Sequence, residues 1–410
     1  MQRGVQEETG MLDVRVEETR NDLTVKRTVH IGCAGEPTRA VSFEFNGSPL
    51  PSPIELYDFA VLTALFSAMR HRMILRVHGP VSERLLTNLE EFQEAWALWR
   101  PDRYAVVPII ADEERHATAK SAGTGIFAFS GGVDGSFALL RHHLGRAGRR
   151  RRQPIAAVLI HGFDIALSEN AAFETACKRA TGILSTLGVP LVTIRTNWRD
   201  VICAHWELEF GSGIAACLHQ FSGIAGTGVF GADEDYAHLQ FPWGSNPVTN
   251  HLLSGGDFDL WTEGGGFTRT ERVGLICERP DIATQLRVCW QGRVAGSNCG
   301  RCEKCIRTKM NFLAQRIEPL CFDDPLTVRQ VLGVKAHNPV QIAYLQEILE
   351  AARRNEIHDL WVKALSLTIR KNRVMLPIRP AEKRLRGWAR SVLSRRPHAG
   401  RFARAARRQP

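Results

Sequence analysis

The sequence predicts an α/β protein, a parallel sheet covered by helices on both faces, and three observations carry that expectation. From Gly125 onward, short apolar runs alternate with amphipathic helical stretches at the spacing of βαβ units. The first apolar run, residues 126–129, passes through Ser130-Gly131-Gly132-Val133-Asp134-Gly135-Ser136 into a helical pattern carried by Phe137, Leu139, Leu140 and Leu144. The ends of the later strands carry further polar clusters, His161-Gly162-Phe163-Asp164 and Gly231-Ala232-Asp233-Glu234-Asp235-Tyr236, where open α/β sheets bind ligands.

Residues 1–118 read as an N-terminal α+β domain. Strands are expected at 11–16, 23–31 and 41–45, a helix at 55–69, a strand at 73–77, a helix at 82–99 and a strand at 105–110. The small, polar stretch 118–125 reads as a linker. The sheet domain then covers 119–285. After the first strand and helix comes the basic loop Arg149-Arg150-Arg151-Arg152, then a strand at 155–160 and a helix at 171–187. Gly188-Val189-Pro190 introduces a strand at 191–195, followed by a helix at 213–224 and a strand at 228–230. A cysteine-bearing segment spans 286–320, a helical region 321–370 and a basic tail 371–410.

At 410 residues the chain exceeds one ordinary core. A hydrophobic content of 44% with 23% charged residues is that of a soluble globular protein, and no apolar run is long enough to cross a bilayer. The first residues lack the basic-then-apolar pattern of a secretory signal, so a cytoplasmic protein with reduced thiols is expected. The net charge of +10 is concentrated in the tail. Residues 370–410 hold fourteen Lys/Arg against the single acid Glu382, which leaves the other 369 residues near −3. Any contact with an anionic membrane surface or RNA is therefore expected from the tail, where Leu385, Trp388 and Val392 fall on one helical face among arginines. A solvated tail is the plainer reading.

The loop after the first strand has what an anion cradle needs. Glycines let the backbone approach, and free N–H groups at a helix start favour negative charge. The Gly-Lys-Ser/Thr ending of the nucleotide-kinase loop is missing, as is G-x-G-x-x-G.

Cys289, Cys299, Cys302 and Cys305 form C-x9-C-x2-C-x2-C. Four thiolates suit a closed tetrahedral zinc site, with Gly300 allowing the tight turn and Arg301, Lys304 and Arg307 offsetting the excess negative charge. An iron–sulfur cluster and free thiols are the alternatives. The other six cysteines, Cys33, Cys177, Cys203, Cys217, Cys277 and Cys321, lie singly in apolar segments and read as small buried hydrophobes.

Ser130, Gly131, Gly132 and Asp134 resemble the PP-loop, S-G-G-x-D-S, of the N-type ATP pyrophosphatases. Gly135 stands where that family usually has serine, and Ser136 follows one place later. With the late cysteine cluster, the chain resembles 7-cyano-7-deazaguanine synthases over about 125–310. Gly231, Asp235, Tyr236 and loosely Pro242 match that family's middle segment, while its Arg-Asn pair has no counterpart at Phe210-Gly211-Ser212-Gly213. The resemblance implies a Rossmann-like, HUP-type sheet domain that binds ATP and Mg²⁺ across residues 130–136, with structural Zn²⁺ on the four cysteines. It implies an enzyme that adenylates a carboxylate or carbonyl oxygen of a small molecule, releases pyrophosphate, and lets ammonia, an amine or a sulfur donor attack. Asp134 and Ser136 are then the candidate catalytic residues, Asp134 positioning Mg²⁺. Asp164, Asp233, Asp235, Arg269 and Arg272 are candidate substrate or phosphate contacts, with a solvated helix start the alternative for the two arginines and a loop-satisfying role the alternative for His161 and Asp164. Two other functions stay open: a nucleotide-binding scaffold or regulatory protein that has lost turnover, motivated by Gly135, and a tRNA-modifying thiolase, motivated by the tail and the cysteines.

Overall fold

Short β-branched and aromatic runs make the strands, and their inward residues alternate between two faces. In the computed structural model, residues 10–116, 123–289 and 297–394 are described, with side chains as far as 377. The basic tail beyond 394 and most of the linker, 117–122, lie outside the described residues; of Leu385, Trp388 and Val392 only the backbone is described.

The elements run β1 (Met11–Arg20), β2 (Thr24–Cys33), β3 (Arg39–Gly47), α1 (Asp58–His71), β4 (Ile74–Ser82), α2 (Glu83–Trp99) and β5 (Ile109–Arg115). Then come β6 (Thr124–Ala128), α3 (Val133–His143), β7 (Gln153–His161), α4 (Asn170–Ser185), β8 (Leu191–Thr196), α5 (Trp198–Val201), α6 (Trp206–His219) and β9 (Thr227–Gly231). The rest are β10 (Asp259–Glu263), α7 (Arg269–Cys277), α8 (Pro280–Ala283), α9 (Glu303–Ala314), α10 (Val328–Gly333), α11 (Pro339–Arg354) and α12 (Leu360–Ser394).

The ten strands form one mostly parallel sheet, ordered β10-β9-β6-β7-β8-β3-β2-β1-β4-β5. The chain winds from β6 to β7 to β8, then crosses back to place β9 on the other side of β6. That reversal opens a crevice at the carboxyl end of β6, where α/β sheets bind ligands. Ile126, Ala156, Val158 and Val192 face a core shared with α1 and α6, while Phe127, Ala157, Leu159 and Val229 face one shared with α3 and α4. A third apolar cluster joins α9 to α10, α11 and α12.

The strands β1 to β5, within residues 11–115, extend this sheet. β3 pairs antiparallel with β8, from Phe43 opposite Thr196 to Gly47 opposite Val192. The core on that side of the sheet runs unbroken from Leu12 to Leu260.

Several elements differ from the sequence reading. α6 runs from Trp206 to His219, where a helix at 213–224 was expected, and contains both Gly211 and Gly213. A Cβ on Gly213 would meet the Trp198 ring at 2.8 Å, and one on Gly211 would run into the Gly244 carbonyl. Close packing outweighs the helix penalty of about 1 kcal/mol per glycine. β5 starts at Ile109, because Tyr104 and Val107 are core residues outside any strand. α12 passes through residue 370 without a break. Among the described residues, no helix is long and apolar enough to cross a membrane.

Candidate active site and metal centre

The loop after β6 leaves an open helix start, an arrangement that can take an anion. Gly131 has φ +73°, a left-handed conformation that favours glycine, and Gly132 caps α3 without any side-chain hydrogen bond to the helix start. The N–H groups of Val133, Asp134 and Gly135, in the first turn, have no acceptor within the helix. They open on a cleft of ≈ 370 Å³ at the carboxyl ends of β6, β7 and β9. Gly135 brings the helix close to its strand, since a Cβ there would stand 3.1 Å from the Ala128 carbonyl oxygen. Gly231 does the same from β9, where a Cβ would collide with the Asp134 backbone.

Two arginines of α7 converge on Asp134. Arg272 Nη1 donates to Oδ1 at 3.0 Å, and Arg269 Nη1 donates to Oδ2. Burial pushes the Asp134 carboxyl up, but the charges of Arg269 and Arg272 more than offset it, and it titrates below the ordinary aspartate value. Arg272 is fully buried and committed to the fold: Nε donates to Phe267 O, Nη1 also to Ala232 O, and Nη2 to Glu234 O and Gly264 O. It is a clamp under the cleft and has no donor left for phosphate. Arg269 differs. It lines the cleft, is buried, and beyond Asp134 its Nε has no partner.

The other expected residues divide in the same way. Asp233 lines the cleft and accepts from Trp243 Nε1 at 2.9 Å; burial, reinforced by Asp134, pushes its carboxyl up to about 6. Asp164 is exposed and lies on the cleft wall. Asp235 instead fastens its own turn, with Oδ1 accepting from Ala237 N and His238. Ser136 is buried, its hydroxyl finds no partner, and it is not part of the cleft lining. His161 is held by Ala166 O at 2.9 Å and stacks on Phe173, which is the loop-satisfying role.

The sequence reading missed several cleft residues. Arg287 is buried, and its backbone N–H donates to Gly131 O at 2.8 Å. Its Nη1 reaches Ser130 O at 3.4 Å, and its Nε has no partner. Lys304 and Arg307 face the cleft; Arg307 pairs with Glu303 at 2.9 Å and lies over Tyr344. Phe163, Trp206, Phe210 and Trp243 form a continuous chain of edge and tilted ring contacts along one wall. One local signal was readable: Arg287 stands two residues before the first clustered cysteine.

The four cysteines converge. Their Sγ atoms all lie within 4.8 Å of one another, with Cys289–Cys302 and Cys299–Cys305 both at 3.8 Å. Metal–thiolate bonds of about 2.3 Å in a tetrahedron require sulfur–sulfur edges of about 3.8 Å. The four residues can therefore hold a metal ion. Gly300, at φ +68°, makes the expected turn, and Cys302 N donates to Cys299 Sγ at 3.3 Å. Lys304 and Arg307 look into the cleft, whereas the buried Lys309, whose Nζ has no hydrogen-bond partner, lies 3.3 Å from where a Gly300 Cβ would be. Burial pushes its ammonium down, and Asp324, Cys305 and Cys299 oppose that shift. Of the six other cysteines, Cys217 and Cys321 are buried as expected, while Cys33, Cys177, Cys203 and Cys277 are half-buried.

Compared with family models, curated proteins and solved structures, the chain matches none of them.

Proposed function

We propose that the cleft binds ATP and transfers its adenylyl group to an oxygen of a small-molecule substrate, releasing pyrophosphate. A substrate carboxylate or carbonyl oxygen forms a bond to the α-phosphorus as the bond to the β-phosphate oxygen breaks. Ammonia, an amine or a sulfur donor then attacks the activated carbon, and AMP leaves. The observation that carries this reading is the uncapped first turn of α3, opening between two buried arginines, Arg269 and Arg287, whose Nε atoms have no partner. Buried donors without acceptors are costly, and an anion in the cleft would supply the missing oxygens.

The residues divide the work by position. The amides of Val133, Asp134 and Gly135, with Arg269, Arg287 and Lys304, would take the phosphate charge. Asp134 keeps Arg269 and Arg272 in place, and Asp134 and Asp233 are two of the cleft carboxylates that Mg²⁺ on the phosphates would face. Catalysis in such a site is mainly positioning and charge stabilisation. The cysteine site suits zinc, because four sulfurs within 4.8 Å of one another could hold a single ion and would leave no place for water.

A retired nucleotide-binding scaffold is favoured by one observation, the engagement of both Asp134 oxygens by arginine. A single experiment separates the two readings. The protein is incubated with ATP, Mg²⁺ and pools of carboxylates plus ammonia, and phosphorus products are followed. AMP with pyrophosphate supports adenylation, and Arg269→Ala should reduce it. ADP with phosphate overturns it, and ATP bound without turnover selects the scaffold.

A further inference from the structure

The cysteine cluster and the cleft are physically one device. Arg287 lies two residues before Cys289, Lys304 lies between Cys302 and Cys305, and Arg307 lies two residues after Cys305. All three line the cleft, as does Cys289 itself. The segment holding Arg287 is bonded on both sides. Toward the cradle, Arg287 N–H donates to Gly131 O at 2.8 Å. Toward the cluster, Asn298 Oδ1 accepts from Val288 N at 2.8 Å and Cys289 N at 3.3 Å, while its Nδ2 donates to Leu286 O at 2.8 Å and Cys321 O at 3.0 Å.

Arg287 itself is underused. The residue is 7% exposed, and its guanidinium makes one long hydrogen bond to Ser130 O at 3.4 Å and leaves Nε without a partner. A buried arginine with open donors on a cleft wall is equipped to grip an anion, because its planar fork matches phosphate oxygens. Its backbone, meanwhile, has no freedom to move unless Cys289 and Asn298 move with it.

We propose that Arg287 is a phosphate-contact residue of the cleft, held in place by the metal-bound cysteine cluster through Cys289 and Asn298, so that metal loading sets the affinity for the anion. The proposal rests on the reading above only in requiring that the cleft take a phosphate anion. Asn298 is the positioning residue of the pair, and the metal supplies rigidity rather than chemistry.

The test uses the full chain loaded with zinc, inorganic pyrophosphate as the probe, and titration calorimetry as the readout. Metal content and thermal melting are recorded for each variant. Arg287→Ala should weaken pyrophosphate binding by roughly 10- to 100-fold, the range expected for charge-assisted hydrogen bonds, with one metal retained per chain. Arg287→Lys should recover only part of it. Removing the metal with a chelator should weaken binding in the wild-type chain and have much less effect in Arg287→Ala. If the stripped chain unfolds, Asn298→Ala serves instead: it keeps all four thiols, and its effect on binding should likewise largely vanish in the Arg287→Ala background. Unchanged pyrophosphate affinity in Arg287→Ala overturns the proposal. So do equal losses, from stripping or from Asn298→Ala, in the presence and absence of Arg287. If these couplings hold while ATP gives no AMP, adenylation fails and the anion site stands.

Discussion

Asp134 and Arg272 meet at 3.0 Å beneath the anion cradle, and Arg272 is buried completely. An arginine in that position is tolerable only while its partner is charged. Asp134→Ala should therefore cost about 3–5 kcal/mol, the range for breaking a buried ion pair from one side, measured by chemical denaturation. The pH dependence follows in sign. The folded carboxyl titrates below its unfolded value, so its stabilisation is complete above about pH 4 and is lost as pH falls through the folded value.

Asp233 and Glu234 should act in the opposite direction. Burial raises Asp233 to about 6 and Glu234 to about 7. Folding then takes up protons, so their unfavourable contribution grows as pH rises from about 4 through 6 and 7 and is constant above that. Urea midpoints should be lower at pH 8 than at pH 5 by an amount that shrinks in Asp233→Asn and shrinks further when Glu234→Gln is added.

The metal centre predicts one zinc per chain and no visible absorbance in the purified protein. Cys305→Ser should lose the metal. Its melting transition should fall sharply, because Cys305 is buried in the apolar cluster that also holds Phe312 and Leu286. Retained metal in that variant would show that the four sulfurs do not act as one site.

Gly135 stands where the S-G-G-x-D-S pattern has a serine, and placing a serine there should not help. A Cβ would meet the Ala128 carbonyl oxygen at 3.1 Å and Phe129 Cα at 3.6 Å. Gly135→Ser should destabilise by about 1–3 kcal/mol, as overpacking does. Gly266→Ala, with nothing within 4 Å of the new atom, serves as the control in the same melting series.

The cradle and the cysteine cluster were legible because each is spelled out locally, by glycines between a strand and a helix and by four cysteines within seventeen residues. Asp134 and Asp233 could be named, but not the arginines that engage Asp134 or the Trp243 indole that binds Asp233, because tertiary packing brings those partners together. Arg269 and Arg272 look alike in sequence and differ in the fold by one turn of contacts: one faces the cleft and the other lies beneath it. The helix start offered as the alternative for these two arginines is present, but both are buried rather than solvated. Thr268 and Glu271 form a capping box, which marks a helix start without any tertiary information. Asp235 and Ser136 lie away from the cleft lining for a related reason, since their polar groups turn inward among neighbours that no spacing rule reveals.

The antiparallel seam between β3 and β8 limits how the chain can be divided. Cutting the first 118 residues away would turn β8 into an open margin, with backbone donors and acceptors from Val192 to Thr196 exposed beside an apolar face that α1 now covers. Such margins recruit other strands, so a shortened chain would tend to stick to its own copies. The part of the sheet that carries the cleft is therefore not a portable module, and its smallest self-sufficient form includes the strands that precede it.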